Sequence, residues 1–277
     1  MQIAMVDDKF VPLEQIERVY LDRGFFFGDG VYEVVRSYAG RIFALEEHLA
    51  RFSNSLGAIG ISKVDIEQIR GRVERAFEAA GISNAKIYFH MTRGSAVRNH
   101  VWEDDLEPNF FLTVTELPDD TEQKSKGIAV STHPDWRWKR CDIKSLNLLA
   151  NVLARQDAAS KGCAEAIFVD DGGLITEGAG SAFFAVFGQT IQTAPLTSNI
   201  LPSITRKFAI EAAQNLRLEV VEESFTSQRA RQGDELFIAV TTRNIVPVVK
   251  FDEQTIADGR PGKNTVLLIR EFLSFVS

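Results

Sequence analysis

Cysteine is scarce. The chain has two in 277 residues, Cys141 and Cys163. Their separation matches neither a zinc-type nor a redox-type pair, so no metal site and no disulfide chemistry is expected. Reduced thiols and cytoplasmic residence are the simplest expectation. No apolar run approaches the ~20 residues needed to span a bilayer. The first residues, MQIAMVDDKF, lack the basic start and apolar centre of a signal peptide, so no membrane partner is expected. Positive charge is short as well: 31 Lys and Arg against 38 Asp and Glu leave −7. A nucleic-acid binder carries the opposite, a basic footprint. Internal repeats and low-complexity tracts are absent too.

What is present is an ordinary globular composition, 45% hydrophobic and 25% charged, in a chain long enough for about two domains. VYEVVRSYAGRIFAL predicts a hairpin around Ala39 and Gly40. LEEHLARFSNSLGAIG predicts a helix, with Leu49, Phe52, Leu56 and Ile59 at helical spacing. In VDIEQIRGRVERAFEAAG, Ile66, Ile69, Val73 and Phe77 form one stripe that Gly81 ends. AKIYFHMTRG and NFFLTVTEL predict strands, the second buried on both faces. LPDDTEQKSKG, from residue 117, is polar and without large apolar side chains. It predicts a linker at 117–125 between a domain at 1–116 and another at 126–277. Beyond it come the strand GIAVSTHP and the helix SLNLLANVLARQDAASKG. The hairpin AEAIFVDDGGLITEG, the strands of SAFFAVFGQTIQTAP and the helix LPSITRKFAIEAAQNL follow. RLEVVEESF, DELFIAVTT and IVPVVKF are further strands, and PGKNTVLLIREFLSFV is a last helix. The mix is α+β in two domains.

Several residues can carry chemistry, each with a bland reading beside it. Lys144, in RCDIKSLNLLAN, falls where an apolar helix is expected to start. It is either a snorkelling surface lysine or an amine whose ammonium is disfavoured by the helix end and by apolar neighbours. A neutral amine attacks an aldehyde and forms a Schiff base, which would imply pyridoxal phosphate. The helix start at LPSITR offers the amides of Ile204 and Thr205 to an anion, or is a plain cap. Arg51, beside the apolar stripe of its helix, is a phosphate donor or a solvated residue. Thr241 and Thr242 end a strand and can supply hydroxyls. Glu177, before Gly178 and Gly180, is either a turn residue or the partner of a pyridine nitrogen, with the glycines admitting a ligand to the backbone. Arg98 and His100 point the same way in an extended segment; they form a carboxylate clamp or a solvated loop. Tyr32, after F-G-D-G, adds a hydroxyl or packs in the core.

In their order, DRGFFFGDGVYEVVR, EEHLARF, YFHMTRG, R-x-H, RCDIKSLNLLAN, KGCAEAIFVD, LITEGAGS, ILPSITR and the T-T strand end cover almost the whole chain. It resembles the fold-type IV pyridoxal-phosphate aminotransferases, and within them the D-amino acid subgroup. The resemblance implies a small α/β domain and a larger, mixed, β-barrel-like domain with helices, with the site between them near a homodimer interface. It implies that Lys144 bonds the cofactor and later moves the α-proton. Glu177 would pair with the pyridine nitrogen, and Arg51, Ile204, Thr205 and Thr241 would hold the phosphate. Arg137 would lie on the cofactor's hydroxyl side and Leu201 would pack on its ring. Tyr32, Arg98 and His100 would trap the substrate carboxylate. The implied reaction is ping-pong transfer of nitrogen from a D-amino acid to 2-oxoglutarate or pyruvate. Three departures from the family pattern stand out: Ala182 in place of asparagine, Arg243-Asn244 after Thr242, and Phe26 at an often polar position. An aminodeoxychorismate lyase or (R)-amine transaminase on the same scaffold, and a non-catalytic binding protein on a decayed one, are the competing readings.

Overall fold

Beside a two-stranded hairpin of Ile3–Val6 and Lys9–Pro12, two larger β-sheets organise the chain, each built from strands whose side chains alternate between two faces. The computed structural model describes residues 2–197 and 199–276. Among these, the smaller sheet has four antiparallel strands in the order Arg41–Ile42, Gly30–Tyr38, Ala85–Thr92, Asn109–Glu116. The expected hairpin turns at Ala39 and Gly40, both at positive φ (47° and 83°), the geometry that matches strand twist in a two-residue turn. Helices Leu45–Ala58 and Ile66–Ala80 cover one face. Leu49, Phe52, Leu56, Ile69 and Val73 pack there on Val31, Val35, Ile87 and Phe89. The side chain of Asp65 caps the second helix by accepting from the Glu67 and Gln68 amides, and Gly81 closes it in the left-handed region.

The larger sheet holds nine strands among the described residues. It runs Glu219–Glu222, Thr190–Thr193, Ala182–Phe187, Glu235–Val240, Asn244–Phe251, Ile128–Pro134, Glu165–Val169, Ile175–Gly178, with Gln254–Thr255 paired to Asn244–Phe251. Ile128–Pro134 is parallel to both neighbours; the sheet is mixed and curls into a half-barrel. Alternation divides its side chains. Phe184, Phe237 and Ile245 face the helices Ile204–Asn215 and Lys263–Ser274. Phe183, Ile238, Val246 and Phe251 face the inside of the curl around Phe225.

Three elements differ from expectation, each for a physical reason. Asn109–Glu116 is not buried on both faces. It is the edge strand of the smaller sheet, with one neighbour and with Phe111 half exposed. The polar segment after residue 117 contains a helix, Thr121–Lys126. Two ion pairs one turn apart, Lys124 with Asp120 and Lys126 with Glu122, support it, a local term that hydrophobic periodicity does not register. The helix after Lys144 begins only at Leu149.

The rings of Phe184 and Phe237 stack at 4.6 Å and 8°, both buried. Phe237→Ala is expected to cost about 3–5 kcal/mol, read as a fall in the urea midpoint without a change in slope.

Candidate active site

A cleft opens between the two larger sheets. Tyr32 and Arg51 line it from the smaller sheet and its helix. Lys144, Glu177, Leu201 and Thr241 line it from the other half of the chain, with Arg137. Lys144 reaches it by backbone pairing. Its carbonyl accepts from the Tyr32 amide at 2.9 Å, and the Leu146 amide donates to Gly30 at 3.0 Å. Ser145 bridges to Val31, and the Lys144 amide donates to Ser55 Oγ at 3.1 Å. The segment thus meets the smaller sheet through an isolated β-bridge and is not the first turn of a helix. The helix-dipole reason for a reactive lysine falls away, since the first helical residue is Leu149. What surrounds the amine is the Tyr32 ring, 4.3 Å from Nζ to the centroid, in a half-buried position.

Glu177 is buried on the strand Ile175–Gly178. Its Oε1 accepts from Arg137 Nη1 and, at 3.2 Å, from the Leu201 amide. Burial raises its carboxyl above the ordinary range, against the pull of Arg137, the Leu201 amide and Lys144. Arg137 is fixed from behind by Asp135, with Nε to Oδ1 at 2.8 Å and Nη2 to Oδ2 at 2.7 Å. Its guanidinium lies over the Phe168 ring at 4.5 Å. The glycines after Glu177 play unequal parts. A Cβ on Gly178 would meet Ser181 Oγ at 2.2 Å, whereas Gly180 has ordinary space. Gly178 therefore lets the next strand approach, a role distinct from admitting a ligand to the backbone. Cys141 also lines the cleft; burial pushes its thiol up to about 11, and it donates to the Trp138 carbonyl at 3.1 Å.

The far wall is built for an anion. Ser203 caps the helix Ile204–Asn215 by accepting from the Arg206 amide. The amides of Ile204 and Thr205, in the buried first turn, donate to nothing among the described residues. Arg51 is pinned beside them. Its Nε and Nη2 donate to the two oxygens of Glu33 at 2.7 and 2.8 Å, and its Nη1 to the Pro202 carbonyl at 2.9 Å. Thr241 lines the same cleft; Thr242 does not, and its carbonyl accepts from Arg36.

Tyr32 stands in the cleft, but Arg98 and His100 do not join it. Both are exposed, on an irregular loop, and both pack on Phe27: Arg98 at 5.0 Å and His100 at 5.4 Å between ring centroids. They keep the common direction expected of an extended pair, although the segment forms no strand.

Glu33 and Asp135 were not anticipated. A signal for Glu33 existed: Val31, Glu33, Val35 and Ser37 share the inward face of one strand, and a carboxylate there must find partners. Burial works against its charge, and Arg51 and His48 overcome it, holding the carboxyl well below the ordinary range. His48 Nδ1 donates to its Oε2 at 2.8 Å. Asp135 had no such signal, because it lies in a loop. Of the departures, Ala182 faces the apolar layer under the helices, so the cleft wall is left to Ser181. Arg243 donates to Gln123 at 2.7 Å, on the helix Thr121–Lys126.

A lysine stitched into a cleft between a small antiparallel sheet and a curled mixed one, with a buried glutamate and orphan helix amides, defines the fold-type IV class. The chain belongs to the class IV aminotransferase family, whose model matches residues 30–251. It is 36% identical over 275 residues to a D-alanine aminotransferase of Staphylococcus epidermidis, covering 99% of this chain and 97% of that one. It is 37% identical over 245 residues to the D-alanine aminotransferase of Bacillus licheniformis, covering 88% and 86%. The branched-chain amino acid aminotransferase of Escherichia coli shares the fold at a TM-score of 0.88 and 23% identity, over 98% of this chain and 93% of that one. A second branched-chain amino acid aminotransferase, solved with pyridoxamine 5'-phosphate, aligns at a TM-score of 0.85 and 25% identity, over 96% and 90%.

Because the Glu33 carboxyl is held below its ordinary value of 4.5, its contribution to stability is complete above that value and is lost as pH falls below it. Glu33→Gln is expected to destabilise the protein by about 3 kcal/mol at neutral pH, by leaving Arg51 buried without its counter-charge. It should also make stability fall less steeply under acid. Urea midpoints at neutral pH and at about pH 3.5 check both.

Proposed function

We propose that this chain is a pyridoxal-phosphate-dependent transaminase. It moves the amino group of a D-amino acid, such as D-alanine or D-glutamate, to 2-oxoglutarate or pyruvate with ping-pong kinetics. The observation that carries the reading is the sharing of one cleft by Lys144, the buried carboxylate of Glu177 and the Arg51 wall. The D-alanine aminotransferases at 36 and 37% identity support the substrate class, and the neighbour holding pyridoxamine 5'-phosphate supports the cofactor.

The donors fit that cofactor. Orphan amides of Ile204 and Thr205, with Arg51, Ser203 and Thr241, suit a phosphate, and Glu177 suits a protonated ring nitrogen. Leu201 gives an apolar surface beside it. Arg137, held by Asp135, suits the ring's hydroxyl. When bound, the group acts as an electron sink for the charge left on a substrate α-carbon. Lys144 would hold it through Nζ, and the same nitrogen would serve as the base for the substrate's α-proton. The Tyr32 ring beside Nζ keeps water from that face.

The reading includes a homodimer. Arg98 and His100 are exposed outside the cleft, while Leu149, Val152 and Leu153 present an apolar edge at its mouth. On this reading the clamp is completed between two copies, one supplying Tyr32 and the other the exposed Arg98 and His100. The division at 117–125 into 1–116 and 126–277 belongs to the same reading, with the backbone at Lys144 crossing back to the smaller sheet. So does cytoplasmic residence, in keeping with two free cysteines.

Lys144→Ala is expected to lower turnover about a thousandfold, within the range of a positioned base, and to abolish the bound cofactor's absorbance band. D-Alanine and D-glutamate should convert that band, and L-leucine and (R)-1-phenylethylamine should do so far more slowly. Equal rates for L-leucine and D-alanine would overturn the substrate class. Pyruvate release from aminodeoxychorismate without an amino acceptor would favour a lyase, and a colourless protein after cofactor addition a binding protein. Mixing Lys144→Ala with Arg98→Ala subunits should restore efficiency that neither has alone; no recovery would remove the shared site.

A further inference from the structure

Arg98 and His100 lie on an exposed loop of no regular structure, yet a clamp must hold its donors in one geometry. The loop is anchored by a buried charge cluster that the reaction itself does not use. Arg23, almost fully buried, donates from Nη1 to the Asn99 carbonyl at 2.6 Å and from Nη2 to the His100 carbonyl at 3.1 Å. These are the carbonyls of the two residues that follow Arg98. Its Nε donates to Asp29 Oδ2 at 2.8 Å. Asp29 in turn accepts from Arg93 Nε and Nη2 at 2.9 and 3.0 Å. Arg93 lies over Trp102, 3.8 Å from its ring, and so grips the loop a second time. Gly94 lets the loop leave the strand. It sits at a φ of 124°, and a Cβ there would meet the Glu107 carbonyl at 2.4 Å.

The side chains are held as well as the backbone. Phe27 packs against Arg23 at 4.9 Å, Arg98 at 5.0 Å and His100 at 5.4 Å. Its ring face attracts a guanidinium without consuming an N–H. The Arg98 guanidinium and His100 imidazole make no hydrogen bond among the described residues, so their donors stay free for an anion while the ring restricts their rotamers. The order lost by freeing two such side chains would weaken any carboxylate they share.

From this we infer that Arg23, tied through Asp29 to Arg93, and Phe27 are positioning residues that set the geometry of Arg98 and His100 for a substrate carboxylate. The inference rests on the proposed reading of Arg98 and His100 as the carboxylate clamp. Neither Arg23 nor Phe27 lines the cleft that holds Lys144, so their effect is confined to how the acid end of the substrate is met.

Four variants of the holoenzyme test it: Arg23→Lys, Phe27→Leu, Phe27→Tyr and, as reference, Arg98→Ala. Arg23→Lys keeps the charge on Asp29 but loses the fork that spans two carbonyls. It should raise the KM for D-alanine about tenfold, the scale of charge-assisted hydrogen bonds, with kcat within about twofold. Phe27→Leu should raise KM about threefold by losing the cation–π contact, and Phe27→Tyr should restore it. The cofactor band should match wild type in all, and amide hydrogen exchange over residues 98–101 should quicken in Arg23→Lys and Phe27→Leu. If Arg98→Ala raises KM while these two leave KM and exchange unchanged, the positioning role is wrong. A common fall of kcat, cofactor band and KM performance would make Arg23 and Phe27 merely structural. If Arg98→Ala itself leaves KM unchanged, the clamp reading fails and takes the inference with it. Should Arg23→Lys not fold, the Phe27 pair decides alone.

Discussion

The site depends on one backbone interaction: the hydrogen bond from the Tyr32 amide to the Lys144 carbonyl at 2.9 Å, extended by Leu146 to Gly30. It joins a segment from the second half of the chain to the edge of a strand from the first. With that pairing in place, the lysine amine and the Tyr32 ring necessarily meet, because residues flanking a ladder bond share a neighbourhood. Ile143 joins the core under the smaller sheet, so apolar burial and backbone pairing fix the same register. Without the splice, Lys144 would belong to an ordinary surface loop and the orphan amides across the cleft would have nothing to complement.

Around that splice, charge is organised by a single device used repeatedly. A buried or half-buried carboxylate is matched by basic groups that also reach a backbone carbonyl elsewhere. Glu33 joins Arg51 to Pro202, Asp135 joins Arg137 to Asn199, and Asp29 joins Arg23 to Asn99. Each unit costs desolvation, and none is needed to hold the hydrophobic cores, which close without them. What each unit fixes is the relative position of segments that no sheet connects. The helix start at Ser203, the strand end at Glu177 and the loop at Arg98 are all held this way. Two of these meet the cleft directly, and the third carries Arg98 and His100 at the surface.

Periodicity made most of the fold legible, since it follows from burial of one face. The stripe Ile66, Ile69, Val73 and Phe77 and the closing Gly81 occur as expected. It failed where burial was not the deciding term. The apolar run after Lys144 looks like a helix from Ser145 onward, but its first residues pair with a strand. Leu149, Val152 and Leu153 remain exposed, so the apolar stripe there was never addressed to this chain's own core. NFFLTVTEL has the composition of a central strand and the position of an edge one, and only long-range pairing decides between them. Several residues that line the cleft stand in motifs that carry the resemblance, whereas Asp135, which holds Arg137, does not. Lys144, Glu177 and Arg51 stand in recognisable motifs; Asp135 stands in a loop whose only mark is its neighbour Arg137.

The placement of Ala182 shows how far a departure from a motif can be from a change in the site. Along Ser181 to Phe184 the strand alternates, and Ser181 points toward the cleft while Ala182 points into the layer beneath the helices with Phe184 and Ala209. The polar wall at that point is kept by Ser181, whose hydroxyl donates to the buried Glu165 at 3.1 Å. Glu165 is itself held by Arg155 at 2.9 Å and the Ala166 amide at 3.0 Å. A side chain that packs against helices tunes stability; one that faces the cleft tunes binding. Because strand register assigns a whole set of side chains to one face or the other, alanine at 182 leaves the polar lining intact. Asn151 closes the same corner by donating to the Ala179 carbonyl at 2.8 Å, so the helix bearing the exposed apolar edge is tied to the strand end beside Glu177.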